Sequence, residues 1–149
     1  GDDEIVGVTA DTYGHDLYFY TKNGDLLSYS YDQTNPALIR QKSKQHIVDD
    51  ETLVAINFLQ ELGVVLVFKG RVVLIQDKEP EEVGAVDADI IAAKWSPNEE
   101  HLALVTEEGE LYLFTAEWDV LYKVDLDDGD ESKLEGLCDA ACITWHGNS

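Results

Sequence analysis

The chain has 149 residues, 44% of them hydrophobic, so it is long enough and apolar enough to fold around a core rather than persist as an acidic tail. Its 31 Asp and Glu against 10 Lys and Arg leave a formal charge of −21, which argues against gripping a polyphosphate backbone, because that binding rests on Lys and Arg displacing condensed counterions. The longest uncharged apolar run, Leu62 to Phe68, falls far short of the roughly 20 residues that cross a bilayer, and the acidic start is unlike a signal peptide.

Short runs rich in Val, Ile, Leu, Tyr and Phe, stopped every few residues by Gly, Asn, Asp or Pro, predict strands almost everywhere and no long amphipathic helix. Ile5 to Thr9, Asp16 to Thr21, Leu26 to Tyr31 and Ala37 to Lys42 read as four successive strands. Lys22 to Asp25 reads as a tight hairpin in which Asn23 and Gly24 accept positive φ. A second block follows, with strands at Leu53 to Leu59, Val64 to Lys69, Arg71 to Gln76 and Glu82 to Val86. The third has Ile90 to Trp95, Leu102 to Thr106, Glu110 to Thr115 and Val120 to Val124, and Ala141 to Trp145 reads as the opening strand of a fourth.

The blocks align in register. Ala55-Ile56-Asn57-Phe58 matches Ala92-Ala93-Lys94-Trp95 at an offset of 37, and Cys142-Ile143-Thr144-Trp145 follows 50 residues later. The nonapeptide from Thr21, TKNGDLLSY, superposes on TEEGELYLF from Thr106. Four-stranded units recurring at about 40 residues are the signature of a β-propeller. The expected organisation is one partial propeller over 1–149, with blade-like units at about 4–46, 52–87 and 88–126, an acidic loop at 127–139 and the start of the next unit at 140–147. Rings of this kind close with about 4 to 8 blades, so the chain is expected to be part of something longer, as its lack of Met also suggests. Isolated copies are expected to self-associate through their unstacked end blades.

Few residues point to chemistry. Trp118-Asp119 is a Trp-Asp dipeptide, but Phe114-Thr115 holds the strand-end position where such a repeat carries it, so Trp118 is expected to pack under its loop. Cys138, Cys142 and His146 would stack on one helical face as zinc ligands. No fourth ligand accompanies them, the segment prefers a strand, and buried thiols are the favoured reading. Two cysteines make no disulfide framework and suit the cytosol or nucleus. Asp125, Asp127, Asp128, Asp130 and Glu131 resemble a calcium loop, but Gly129 and Asp130 invert the order an EF-hand needs, which favours a solvated acidic loop. His15, His46, His101 and His146 belong to no hydrolase, metalloprotease or phosphate-loop motif. Arg40, Lys42 and Lys44 form the single cationic cluster, expected on a solvated edge strand, with an acidic partner as the alternative. No catalytic, cofactor-binding or metal-binding residue is expected.

The third block is specific enough to resemble a known family. Ile91, Ala92, Ala93, Trp95, Ser96, Glu99, Glu100, Leu102, Ala103, Leu104, Val105 and Thr106 follow the run I-A-A-x-W-S-x-D-E-E-x-L-A-L-V-T, with Asn98 where Asp is commoner. The stretch Ile90 to Leu126 resembles the N-terminal WD-repeat propeller of the largest Elongator subunit, the IKAP family; EIVGV near the start, LGVVLVFKGRVVLI from Leu62 and ITWHG at the end fall in the same order. The resemblance implies a non-catalytic scaffold in a complex that modifies the wobble uridine of tRNA; the cysteine usage already noted makes the cytoplasm, and also the nucleus, the expected compartment. The implied partners are the catalytic subunit and a second WD-repeat subunit; from the charge and the short apolar runs no nucleic-acid or membrane contact by this segment is expected, and no cofactor. A free-standing acidic propeller that binds basic peptides or histone tails is the alternative.

Overall fold

The computed structural model describes residues 4–32, 34–35, 37–76 and 79–125. Every regular element among them is a strand: β1 (Ile5–Asp11), β2 (Asp16–Thr21), β3 (Asp25–Tyr31), β4 (Ile39–His46), β5 (Leu53–Leu59), β6 (Gly63–Phe68), β7 (Arg71–Gln76), β8 (Glu79–Ala85), β9 (Ile90–Trp95), β10 (His101–Thr106), β11 (Glu110–Thr115) and β12 (Val120–Asp125). They form three four-stranded sheets, each ordered as in the sequence: β1 to β4, β5 to β8 and β9 to β12. No helix among the described residues is long and apolar enough to cross a membrane. The strand expected at Ala141 to Trp145 and the acidic loop at 127–139 lie outside the described residues.

The chain divides into two compact units, Gly1–Phe68 with Val72–Glu82, and Lys69–Arg71 with Val83–Ser149. In the first, Gly7 and Thr9 of β1 lie against β5. A Cβ on Gly7 would sit 2.7 Å from Leu53 Cδ2 and 2.9 Å from Ile56 Cγ2, closer than side-chain carbons approach, so the two strands meet because position 7 is glycine. Beside this contact the Phe58 N–H donates to Thr9 Oγ1 at 3.0 Å, and Tyr18 stacks on Phe58 at 5.5 Å. Tyr20, Leu26, Val64, Leu66, Phe68, Val73 and Ile75 form the core of this unit, with the Tyr20 and Phe68 rings meeting edge to face. Alternate residues of β6 and β7, namely Val65, Val67, Val72 and Leu74, are also buried, so both faces of these strands are apolar and the sequence there runs almost without polar interruption. In the second unit, Ala103 and Val105 pack with Ala92, Leu111 and Leu113, while Leu102 and Leu104 are fully buried on the opposite face of β10.

The repeat extends to irregularities of pairing. Each first strand carries an extra residue at its second position: Val6 between Ile5 and Gly7, Val54 between Leu53 and Ala55, and Ile91 between Ile90 and Ala92. The outer pairs of the first and third sheets share another bulge, at Lys42 and at Leu121. A bulge twists a strand locally, so recurrence at equivalent positions gives each sheet the same twist.

Several elements differ from the sequence expectation. β4 begins at Ile39 and continues to His46, beyond the expected Lys42, because the segment before it is a turn: the Thr34 N–H and Oγ1 donate to Asp32 Oδ1 at 2.9 and 2.7 Å. β8 starts at Glu79 rather than Glu82. Both are outer edge strands, where exposed positions carry no apolar alternation, and an edge also tolerates Pro80. In the first hairpin only Gly24 takes positive φ, at 90°, and Asn23 does not.

Candidate interaction surfaces

The turns joining second to third strands hold the most regular polar construction. After β2, the Gly24 N–H donates to the Thr21 carbonyl at 3.0 Å and the Asp25 N–H to Thr21 Oγ1 at 3.1 Å. After β10, the Gly109 N–H donates to the Thr106 carbonyl at 3.1 Å and the Glu110 N–H to Thr106 Oγ1 at 3.3 Å. Both threonines are buried, and Gly109 repeats the positive φ of Gly24. The acid that follows each turn meets a lysine across the sheet: Asp25 Oδ2 lies 3.9 Å from Lys44 Nζ, and Glu110 Oε2 lies 2.8 Å from Lys123 Nζ. Each lysine stands opposite the residue two beyond the acid, Leu27 or Tyr112. The Glu110 carboxylate, with help from the Tyr112 hydroxyl, holds the Lys123 ammonium above the usual lysine range. The middle sheet has Lys69 and Gly70 as its turn and opens β7 with Arg71, so its charge at this position is reversed.

His46 ends β4 between two carboxylates. Its Nδ1 is 2.8 Å from Asp25 Oδ1 and its Nε2 is 2.8 Å from Asp49 Oδ1, and these bonds push the imidazole above the ordinary histidine range, Asp25 contributing most.

At the other end of the third sheet, Ser96 Oγ donates to Asn98 Oδ1 at 2.6 Å, the His101 N–H donates to Ser96 Oγ, and Thr115 Oγ1 accepts from the Glu117 and Asp119 N–H groups. These turns bring Trp95 and Trp118 edge to face at 5.6 Å. Trp118 is half-buried, held at φ 70° by its loop, and packs on Trp95 as an expected packing residue would. The corresponding turns of the first sheet bring His15 against Tyr31 at 5.6 Å.

The structure separates most of the other sequence candidates. Lys42 pairs with Asp16 at 3.1 Å on the exposed edge strand β4, Lys44 faces Asp25, and Arg40 lines a shallow hollow with His15, Tyr31 and Leu38. His15, His46 and His101 stand in three different settings. No group of three or more His, Cys, Asp or Glu among the described residues is placed to hold a metal ion. Cys138, Cys142, His146, Asp127, Asp128, Asp130 and Glu131 lie outside the described residues; Asp125 ends β12 opposite Glu110. A crevice of about 450 Å³ in the first unit lies over Tyr18, Leu26 and Phe58 and carries Lys42, Gln45 and Gln60. It was not legible in the sequence, since its walls come from separate blocks.

Three successive four-stranded sheets with a shared first-strand bulge, two of them with a shared turn chemistry, are blades of a WD40-type β-propeller, fewer than the about four to eight that close such a ring. Solved structures agree on this fold. The chain is similar to Chaetomium thermophilum Raptor (TM-score 0.70, 11% identity, over 89% of this chain and 13% of that one). It is also similar to the C-terminal WD40 domain of Sif2 (TM-score 0.61, 15% identity, over 85% and 38%). The chain thus spans a small part of each. No curated protein sequence matches it. Residues 2–137 match the family model of the ELP1 first N-terminal β-propeller, and the chain belongs to that family, the first propeller of the largest Elongator subunit.

Proposed function

We propose that this chain is a non-catalytic scaffold segment of Elongator, holding the catalytic subunit and a second WD-repeat subunit while wobble-uridine modification of tRNA proceeds on another chain, in the cytoplasm and also the nucleus. The family match over residues 2–137 carries this proposal. The settings of two described histidines support it: His46 is engaged by two carboxylates and His15 by Tyr31, so each serves the blades or their turns. The charge of −21 likewise suits a surface that leaves tRNA to other chains.

The test uses the full-length subunit, intact and with residues 4–125 deleted, each expressed in cells lacking its own copy. The expected result is that the intact form recovers the catalytic and WD-repeat subunits and restores wobble-uridine modification, whereas the deletion loses both. Full recovery and full modification by the deleted form would refute the scaffold role. Recovery of basic peptides alone by the intact form would favour a free acidic propeller instead.

A further inference from the structure

The connection from β4 to β5, residues 47–52, is fastened to the β2–β3 turn at three levels. The Ile47 N–H donates to the Gly24 carbonyl at 2.7 Å. Ile47 and Val48 pack their side chains on the core of the first unit, and the Val48 carbonyl oxygen lies where a Cβ on Gly24 would be, so turn and connection touch through their backbones. The third level is the His46 imidazole. Its two nitrogens each lie 2.8 Å from a carboxylate oxygen, Asp25 at the start of β3 and Asp49 within the connection.

Carboxylates accept hydrogen bonds and cannot donate them when ionised, so both ring nitrogens must carry protons for both bonds to form. A neutral imidazole has one N–H and one lone pair. Losing a proton therefore replaces one of the two bonds with a repulsive contact between lone pairs. The Asp25 carboxylate has an alternative partner in Lys44 Nζ at 3.9 Å. Asp49 is 83% exposed and is the carboxylate free to swing into water. We infer that His46 is a proton-dependent latch which fastens the connection between the first and second sheets to the β2–β3 turn, and whose release frees the Asp49 end.

Other charges on the neighbouring segments set the background. Lys44 lies next but one to His46 on β4 and shares Asp25 with it; Lys22 in the turn, and Asp50 and Glu51 in the connection, line a hollow beside Tyr20 and Leu53. The sign of the linkage follows from the two carboxylates, which hold the imidazole above the ordinary histidine range. The latch is complete below the midpoint of an unlatched histidine and is lost as pH rises through the higher midpoint of the latched one.

The experiment is a carbon-proton NMR titration of the histidine rings in the whole 149-residue chain, His46 being assigned from the spectrum of His46→Gln, with hydrogen-exchange protection of the Ile47 amide followed over the same pH range. His46 is expected to titrate above the ordinary histidine range, and Asp49→Asn is expected to lower its midpoint by about half a pH unit or more. Ile47 protection is expected to fall as pH rises through the His46 midpoint, by about tenfold for each pH unit separating latched from unlatched histidine. In Asp49→Asn that fall shrinks. A His46 midpoint unaffected by Asp49→Asn, or Ile47 protection that stays level across the midpoint, would overturn the latch.

Discussion

Replacing Trp95 tests the packing of the third sheet most directly. Its side chain is 6% exposed and contacts Trp118 edge to face at 5.6 Å. An aromatic of this size buries about 200 Å², and at about 25 cal/mol per Å² its truncation should cost about 3 to 5 kcal/mol in Trp95→Ala, a large share of a small domain's stability. Trp118 is half-buried, so Trp118→Ala should cost about 1 to 2 kcal/mol. Its φ of 70° adds a second signature: Trp118→Gly, which relieves the left-handed backbone, should be about 1 kcal/mol more stable than the alanine variant. Because the rings touch, the double variant should lose less than the two singles together, by about 0.5 to 1.5 kcal/mol. The buried Trp95 indole N–H has no hydrogen-bond partner among the described residues, so Trp95→Phe gives up volume but no hydrogen bond and should cost less than half as much as Trp95→Ala. Guanidinium midpoints followed by circular dichroism would measure all five variants. Equal losses at the two positions, or strictly additive ones, would refute the packing described for this end of the sheet.

Gly24→Ala forces a side chain into positive φ and against the Val48 carbonyl, and should cost at least about 1 to 2 kcal/mol, read as a lowered Tm. Thr9→Val keeps the shape of the residue but leaves the Phe58 N–H without its acceptor, and a loss of about 1 to 2 kcal/mol in denaturant stability is expected. Gly7→Val should drive β1 from β5 and expose the Tyr18 and Phe58 rings, detected as increased binding of an apolar dye. Filter binding at physiological salt should retain no tRNA, since a chain of charge −21 repels phosphate, and salt-dependent micromolar retention would contradict the scaffold role.

Which parts of the protein were legible beforehand follows from where each residue gains its free energy. β2, β5, β7, β9 and β11 have the expected bounds, because their apolar residues are set by burial and their ends by turn formers. The Thr21 and Thr106 hairpins superpose in the structure as in the sequence, since a hydroxyl, a glycine and a following acid suffice to build that turn locally. The edge strands β4 and β8 were placed less well. Their outward residues face water, so nothing in their pattern distinguishes strand from loop.

The repeat, its all-β character and its family were in the sequence by itself, because periodic burial and turn chemistry are local properties that leave a local trace. Tertiary structure alone decided the rest. His46 meets Asp25 across 21 positions and Lys42 meets Asp16 across 26, and no local rule couples residues so far apart. Gly7 owes its identity to side chains of β5 that it meets only after the sheets stack. The bulges at Val6, Val54 and Ile91 belong to the same class, since they are properties of a strand's partner as much as of its own residues. Sequence specifies which segments will pair; the register, the pairs of charges and the close approaches exist only once the backbones are held together.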